Sequence, residues 1–212
     1  MIRLDIFSDP VCPWCFIGKA NLDRALEGAA EHPFSVEWQP FQLNPDLPRG
    51  GVAKRDYLIA RFGSAEKVDQ IHDRLRQIAR DNGVELDPDK PQRLPNTLDA
   101  HRLIHWAGIE GRQTPLVSAL FRAYWQGGRD IGDARVLTEI AEAVGMDGPT
   151  VARLLASDAD ADDILARDAD ARSKGVSAVP TFLIDRRYVV QGAQPPETWS
   201  KVIAEVTEKA RE

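Results

Sequence analysis

Cysteine is scarce in this chain: Cys12 and Cys15 are the only two among 212 residues. A lone pair three residues apart excludes a disulfide-stapled scaffold. The small loop it closes removes little chain entropy, so as a structural brace it is weak. Zinc asks for four ligands, and there is no second cysteine pair to complete the set. His101 and His105 stand at i and i+4 and can share a helix face. They lie far beyond the short ligand spacing of a zinc finger. Long hydrophobic runs are also missing; none approaches the ~20 residues of a membrane-spanning helix. Basic tracts are absent and the formal net charge is −6, which argues against nucleic acid as a partner. Repeats and low-complexity segments are absent too; acid-rich Asp158–Asp170 is interrupted by apolar residues and reads as a solvated helix face. Met1 leads straight into an apolar alternating segment, with no basic n-region, apolar h-region or small-residue cleavage site. The expectation is therefore a cytoplasmic protein. In a reducing cytosol, a lone Cys-x-x-Cys is more often catalytic or redox-sensing than structural.

What is present is concentrated in Asp9-Pro10-Val11-Cys12-Pro13-Trp14-Cys15-Phe16. An alternating segment, Ile2 to Phe7, leads in. A helical pattern, Ile17, Ala20, Leu22, Ala25 and Leu26, leads out. Strand, Cys-x-x-Cys, helix is a thioredoxin-like redox arrangement. On a helix, i and i+3 share a face with Cβ atoms about 5–6 Å apart. A disulfide needs Cα atoms about 4.4–6.8 Å apart, so such a pair opens and closes without moving the backbone. Pro13 suits the first helical turn, where its missing N–H costs nothing. The free N–H groups at that end favour an anion at Cys12. Cys12 is thus the expected attacking sulfur and Cys15 the resolving one.

Along the chain, residues 2–7 read as a strand and 13–27 as a helix, closed by Gly28 and the Ala29–Pro33 segment. Phe34–Leu43 reads as a second strand with Phe34, Val36, Trp38 and Pro40 on one face, completing a right-handed βαβ unit. Asn44–Gly51 is a turn-rich linker. Helices are expected over 54–62, 65–81, 97–107, 115–126, 134–144, 150–156 and 160–174. The 65–81 helix would turn Val68, Ile71, Leu75, Ile78 and Ala79 inward. The 115–126 helix would turn Leu116, Leu120, Phe121 and Tyr124 inward. Asn96 caps the 97–107 helix, and Val84–Leu94 is extended. The hairpin Phe182–Ile184 and Tyr188–Gln191 returns to strands, and Pro195-Pro196-Glu197 opens a last helix. The expected class is α/β: a thioredoxin fold, βαβ…ββα, with a large all-helical insertion. Residues 1–45 and 161–212 form the two halves of the thioredoxin-like domain, and 46–160 form the insertion.

Three segments carry a family resemblance: Ser8–Cys15, Pro95-Asn96-Thr97-Leu98-Asp99-Ala100-His101-Arg102, and Gly175-Val176-Ser177-Ala178-Val179-Pro180-Thr181-Phe182. Together they resemble the DsbA-type thiol–disulfide oxidoreductases, and more closely their cytoplasmic FrnE-like branch. The resemblance spans nearly the whole chain. It implies a cis bond before Pro180, beside the cysteines, and a Val179 backbone free to pair with a substrate strand. It implies an active site lined by Pro13, Trp14, Val179, Pro180, His101 and Asn96. A sister group, the glutathione-dependent 2-hydroxychromene-2-carboxylate isomerases and kappa-type glutathione transferases, shares the architecture. Those proteins typically carry serine where Cys12 stands, so the intact pair argues against their activity.

The implied activity is dithiol–disulfide exchange with protein or peptide substrates. It needs no cofactor or metal beyond the redox pair; glutathione remains open as a thiol partner. The alternatives are a glutathione-dependent isomerase or transferase of an aromatic small molecule, and a redox-controlled chaperone-like module. The oligomeric state is left open, a homodimer included. Trp14 stands where the periplasmic members carry histidine. A neutral indole offers Cys12 no imidazolium charge, so the pair is expected to be less oxidising. Asp9 reads as a turn residue before Pro10, with proton transfer as its other reading. Lys19 reads as solvent-facing.

Overall fold

The computed structural model describes residues 1–29 and 33–209. The chain opens with β1 (Ile2–Ser8), α1 (Pro13–Glu27) and β2 (Phe34–Pro40). β1 and β2 run parallel, with Ile2 opposite Phe34 and Ser8 opposite Pro40. Part of the Ala29–Pro33 segment, expected to close the helix, lies outside the described residues. The alternation of β1 puts Leu4 and Ile6 into the core, each at most 1 % exposed. Each stabilises the fold by about 1.5–3 kcal/mol through burial. Asp5, on the polar side of that alternation, is buried as well, held by Arg3 and Gln39.

β2 stops at Pro40, three residues earlier than the apolar pattern suggested. The reason is long-range. The N–H of Gln42 donates to Asp168 Oδ1 and that of Leu43 to Asp9 Oδ2. Two carboxylates take the donors that a longer strand would have offered to the sheet.

The helical part follows: β3 (Val52–Ala53), α2 (Lys54–Phe62), α3 (Ala65–Asp81), β4 (Arg93–Leu94), α4 (Leu98–Ile109), α5 (Gln113–Trp125), α6 (Ala134–Ala143), α7 (Gly148–Leu155) and α8 (Ala161–Ser173). β3 pairs antiparallel with β4 inside the segment expected to be merely extended. Gly51, at φ +65°, makes that pairing possible, since a Cβ there would stand 2.5 Å from the Leu94 carbonyl oxygen. Ser64, Asp133 and Asp147 cap α3, α6 and α7 through their side chains. α4 begins after Thr97, and Asn96 Oδ1 accepts from the Leu98 N–H. The inner face of α5 is as its spacing implies: Leu116, Leu120, Phe121 and Tyr124 are fully buried. On α3, Val68, Leu75 and Ala79 turn inward, but Ile71 is 41 % exposed.

β5 (Thr181–Ile184) and β6 (Tyr188–Gln191) form the hairpin, and α9 (Pro196–Lys209) ends the described chain. β5 runs antiparallel to β1 and to β6, giving one mixed sheet of order β2-β1-β5-β6. α1 packs on α9, while α4, α5 and α8 pack against β2. The fold is an α/β thioredoxin fold with a large helical insertion. One apolar cluster runs from Leu4, Phe182 and Trp199 through Ile17 and Val11 to Leu103, Phe121 and Leu137, so sheet and helices share a core.

Candidate active site

The sheet delivers β1 into a tight loop. The Cys12 N–H donates to the Asp9 carbonyl at 2.9 Å, and Cys12 becomes the N-cap of α1 with Pro13 at its first position. Cys15 follows one turn later, and both are free thiols. The Cys12 Sγ donates to the Val179 carbonyl at 3.7 Å, and the Val179–Pro180 bond is cis. A Cβ on Gly18 would meet Pro180 Cγ at 3.0 Å, so glycine here lets α1 lie close against that loop.

The helix start does not leave Cys12 open to solvent: Cys12 is 2 % exposed and Cys15 1 %. The Val179 loop and the helical part enclose them. Burial pushes the Cys15 thiol up, and the adjoining Cys12 adds to it through a hydrogen bond and its charge. Cys12, Pro13, Trp14 and Val179 line one side of a cleft of about 580 Å³. Its other walls come from Leu43, Asn44, α2, α3, Tyr124, Trp125 and Ser177–Ala178. Trp14 stands in that cleft 43 % exposed.

Asn96 and His101 are placed otherwise than the resemblance implied; neither lines the cleft. Asn96 is a tie: it accepts from Gln42 Nε2, and its Nδ2 donates to the Leu47 carbonyl. His101 is 3 % exposed in the packed start of α4. Lys19, expected to face solvent, is 6 % exposed and pairs with Asp23. The segment Gly83–Glu85 and α5 border it, and helical periodicity in α1 carries no sign of that cover.

Asp9 is more than a turn residue before Pro10. Its side chain is fully buried and joins three segments, accepting from Val11 N–H, Leu43 N–H and Thr97 Oγ1. Trp125 Nε1 adds a second tie, donating to the Pro10 carbonyl. The loop before Cys12 is thus pinned by the helical part from two directions. Burial pushes the Asp9 carboxyl up to about 7, against the pull of its backbone donors. Burial also pushes His101 down to about 4. Their closest approach, Nε2 to Oδ1, is 3.9 Å, too long for a hydrogen bond, and His101 Nε2 has no partner among the described residues. The order of the two values makes this a protonated acid beside a neutral imidazole between about pH 4 and pH 7, not an ion pair.

Unfolded, the two groups titrate at about 3.9 and 6.5. Between pH 4 and 6.5 the folded chain holds an extra proton on Asp9 and lacks one on His101, so their effects on stability oppose each other. His101→Gln removes the His101 contribution, so relative to wild type stability should fall as pH rises from about 4 to about 6.5. Asp9→Asn removes the Asp9 contribution, so relative to wild type stability should rise as pH rises from about 4 to about 7. At roughly 1.4 kcal/mol per pKa unit, each slope amounts to a few kcal/mol. Urea midpoints measured across this range decide the matter; two variants with the same slope as wild type would refute the assignment.

A mixed four-stranded sheet with a Cys-x-x-Cys at the start of its first helix, its first sulfur against the Val179 carbonyl, defines a thioredoxin-fold dithiol protein. The chain belongs to the DSBA-like thioredoxin domain family, whose pattern matches residues 3–204, and so to a family of thiol–disulfide oxidoreductases. A probable DsbA oxidoreductase from Streptomyces coelicolor superposes with a TM-score of 0.87 at 32 % identity, over 97 % of this chain and 89 % of that one. A 2-hydroxychromene-2-carboxylate isomerase shares the fold at TM-score 0.72 and 16 % identity, over 99 % and 98 %. The cytosolic disulfide reductase DsbM from Pseudomonas aeruginosa does so at 0.68 and 19 %, over 97 % and 98 %. Among the described residues, no helix is long and apolar enough to cross a membrane.

Proposed function

We propose that this protein exchanges dithiols for disulfides with protein or peptide substrates, with Cys12 attacking and Cys15 resolving. The observation that carries this reading is Cys12 at a helix N-terminus, its sulfur against the Val179 carbonyl, on the wall of a cleft sized for a few side chains. Cys12 attacks one sulfur of a substrate disulfide. The substrate S–S bond breaks, a Cys12–substrate disulfide forms, and one substrate thiolate leaves and takes a proton. Cys15 then gives up its proton and attacks Cys12, releasing the second substrate thiol. Two electrons pass from the dithiol to the substrate, and the reverse path oxidises a substrate dithiol.

Glutathione is the proposed small thiol partner, and the cytoplasm the proposed compartment. A cytosolic disulfide reductase of this fold, solved with GSH, supports both. The cysteine pair weighs against the isomerase reading. The test is a turnover assay with insulin and with a scrambled disulfide substrate, with glutathione as the recycling thiol. Wild type should accelerate both reactions, and Cys12→Ser neither. Equal rates with and without the protein would refute the proposal.

A further inference from the structure

The cleft beside Cys12 differs in charge from the rest of the molecule. The chain carries 33 acidic and 27 basic residues. Yet the cleft wall holds Lys54, Arg61, His72 and Arg74, and no Asp or Glu among the described residues. His72 is engaged by Asp89 and, pushed down to about 4, is neutral at pH 7. The other three are cations without a carboxylate partner among the described residues. Lys54 is 6 % exposed; its Nζ donates to the Pro88 carbonyl and sits 4.9 Å from the Trp125 ring centroid. Burial lowers it to about 8, which leaves it mainly protonated at neutral pH. Arg61 meets only the Tyr57 hydroxyl, and Arg74 meets no hydrogen-bonding side chain among the described residues.

Neighbouring arginines on the same two helices are treated differently. Arg55 is paired with Asp69, and Arg76 with Asp73 and Asp89. Arg80, outside the cleft, reaches the Gln77 amide oxygen, while Arg61 and Arg74, the arginines lining it, have no carboxylate partner among the described residues. Between these cations lie Trp14, Leu43, Phe62 and Ile71, each 38–43 % exposed. They put a large apolar area in contact with water beside the reactive sulfur.

We propose that this cleft selects by charge, taking cysteine-bearing peptide segments in which acidic side chains adjoin apolar ones, in preference to basic segments. The apolar side chains would cover Trp14, Phe62 and Ile71, and the carboxylates would pair with Arg61, Arg74 and the ammonium of Lys54. This rests on the exchange reading above and adds a substrate class to it.

The test uses the full-length reduced protein and two disulfide-linked peptides with the same apolar residues, one with two Glu and one with two Lys flanking the cysteine. Hydroxyethyl disulfide, small and neutral, serves as the reference substrate. The acidic peptide should be reduced about tenfold faster in kcat/KM, the equivalent of roughly 1.4 kcal/mol from partly screened ion pairs. Raising the salt should shrink that ratio. The exposed double variant Arg61→Glu/Arg74→Glu, checked for an unchanged Tm, should lose the preference or invert it. Equal rates for the two peptides in wild type, or a preference unchanged in the double variant, would overturn the charge selection alone. Failure to reduce either peptide or hydroxyethyl disulfide would instead overturn the exchange reading on which it rests.

Discussion

Replacing Cys15 by serine is expected to convert the protein from a catalyst into a trap. With Cys15 present, the bond between Cys12 and substrate lasts only until the neighbouring sulfur attacks it. Cys15 is well placed for that and for little else: it is buried one helical turn from Cys12 and held as a thiol by its surroundings. Without it, the mixed disulfide must wait for an outside thiol to reach a sulfur that is 2 % exposed. Turnover should fall to the uncatalysed background, and covalent adducts should accumulate in cell extract, visible on non-reducing gels and lost with reductant. Cys12→Ser should also lose turnover but form no adducts. The same adducts from Cys12→Ser would mean that exchange does not run through Cys12.

Arg102→Leu should be among the most destabilising single changes in the helical part. The Arg102 side chain is 1 % exposed and stacks over Trp106. Its guanidinium donates to the carbonyls of Ala159, Leu154 and Ser157 and to Asp99 Oδ1. One side chain thereby ties α4 to the end of α7 and to the turn before α8. The Ala159 and Ser157 carbonyls and the Asp99 carboxylate lose this charged donor together, while the Leu154 carbonyl keeps the Ser157 N–H and Oγ. A loss of about 3 kcal/mol is expected from the lost charge-assisted hydrogen bonds. In a chain of this size, that lowers Tm by roughly 10 °C. Arg102→Lys should not restore it, because a single ammonium cannot reproduce the planar fork. Calorimetry decides between this and a surface role, for which the shift would be a degree or two.

Arg102 also shows what the sequence conveyed and what it did not. The Pro95–Arg102 segment was recognisable as a motif, and resemblance suggested that Asn96 and His101 face the cysteines. The structure makes most of this motif a set of struts: Asn96 ties Gln42 to Leu47, Thr97 reaches Asp9, and Arg102 gathers three carbonyls. A recurring motif can hold a site in place without lining it. The cysteine pair, the order of strands and the inner face of α5 were legible because each is local: a spacing of three, an alternation of two, a stripe at helical period. The end of β2, the burial of Lys19, the short β3–β4 pairing and the turn of Ile71 toward the cleft were not. Each depends on partners tens of residues away. Asp9 and Asp168, for example, end β2 by taking the donors of Leu43 and Gln42.

Cys12 and Cys15 are expected to form one reversible two-electron couple. Equilibrating the protein in graded mixtures of reduced and oxidised glutathione, then counting free thiols after acid quench, tests it most directly. The two thiols should disappear together along a curve with the slope of a two-electron couple. Its midpoint should be more negative than the roughly −120 mV of the strongly oxidising periplasmic DsbA, since Trp14 gives Cys12 no cationic neighbour. Loss of one thiol at a time, or both thiols persisting in fully oxidised glutathione, would contradict it.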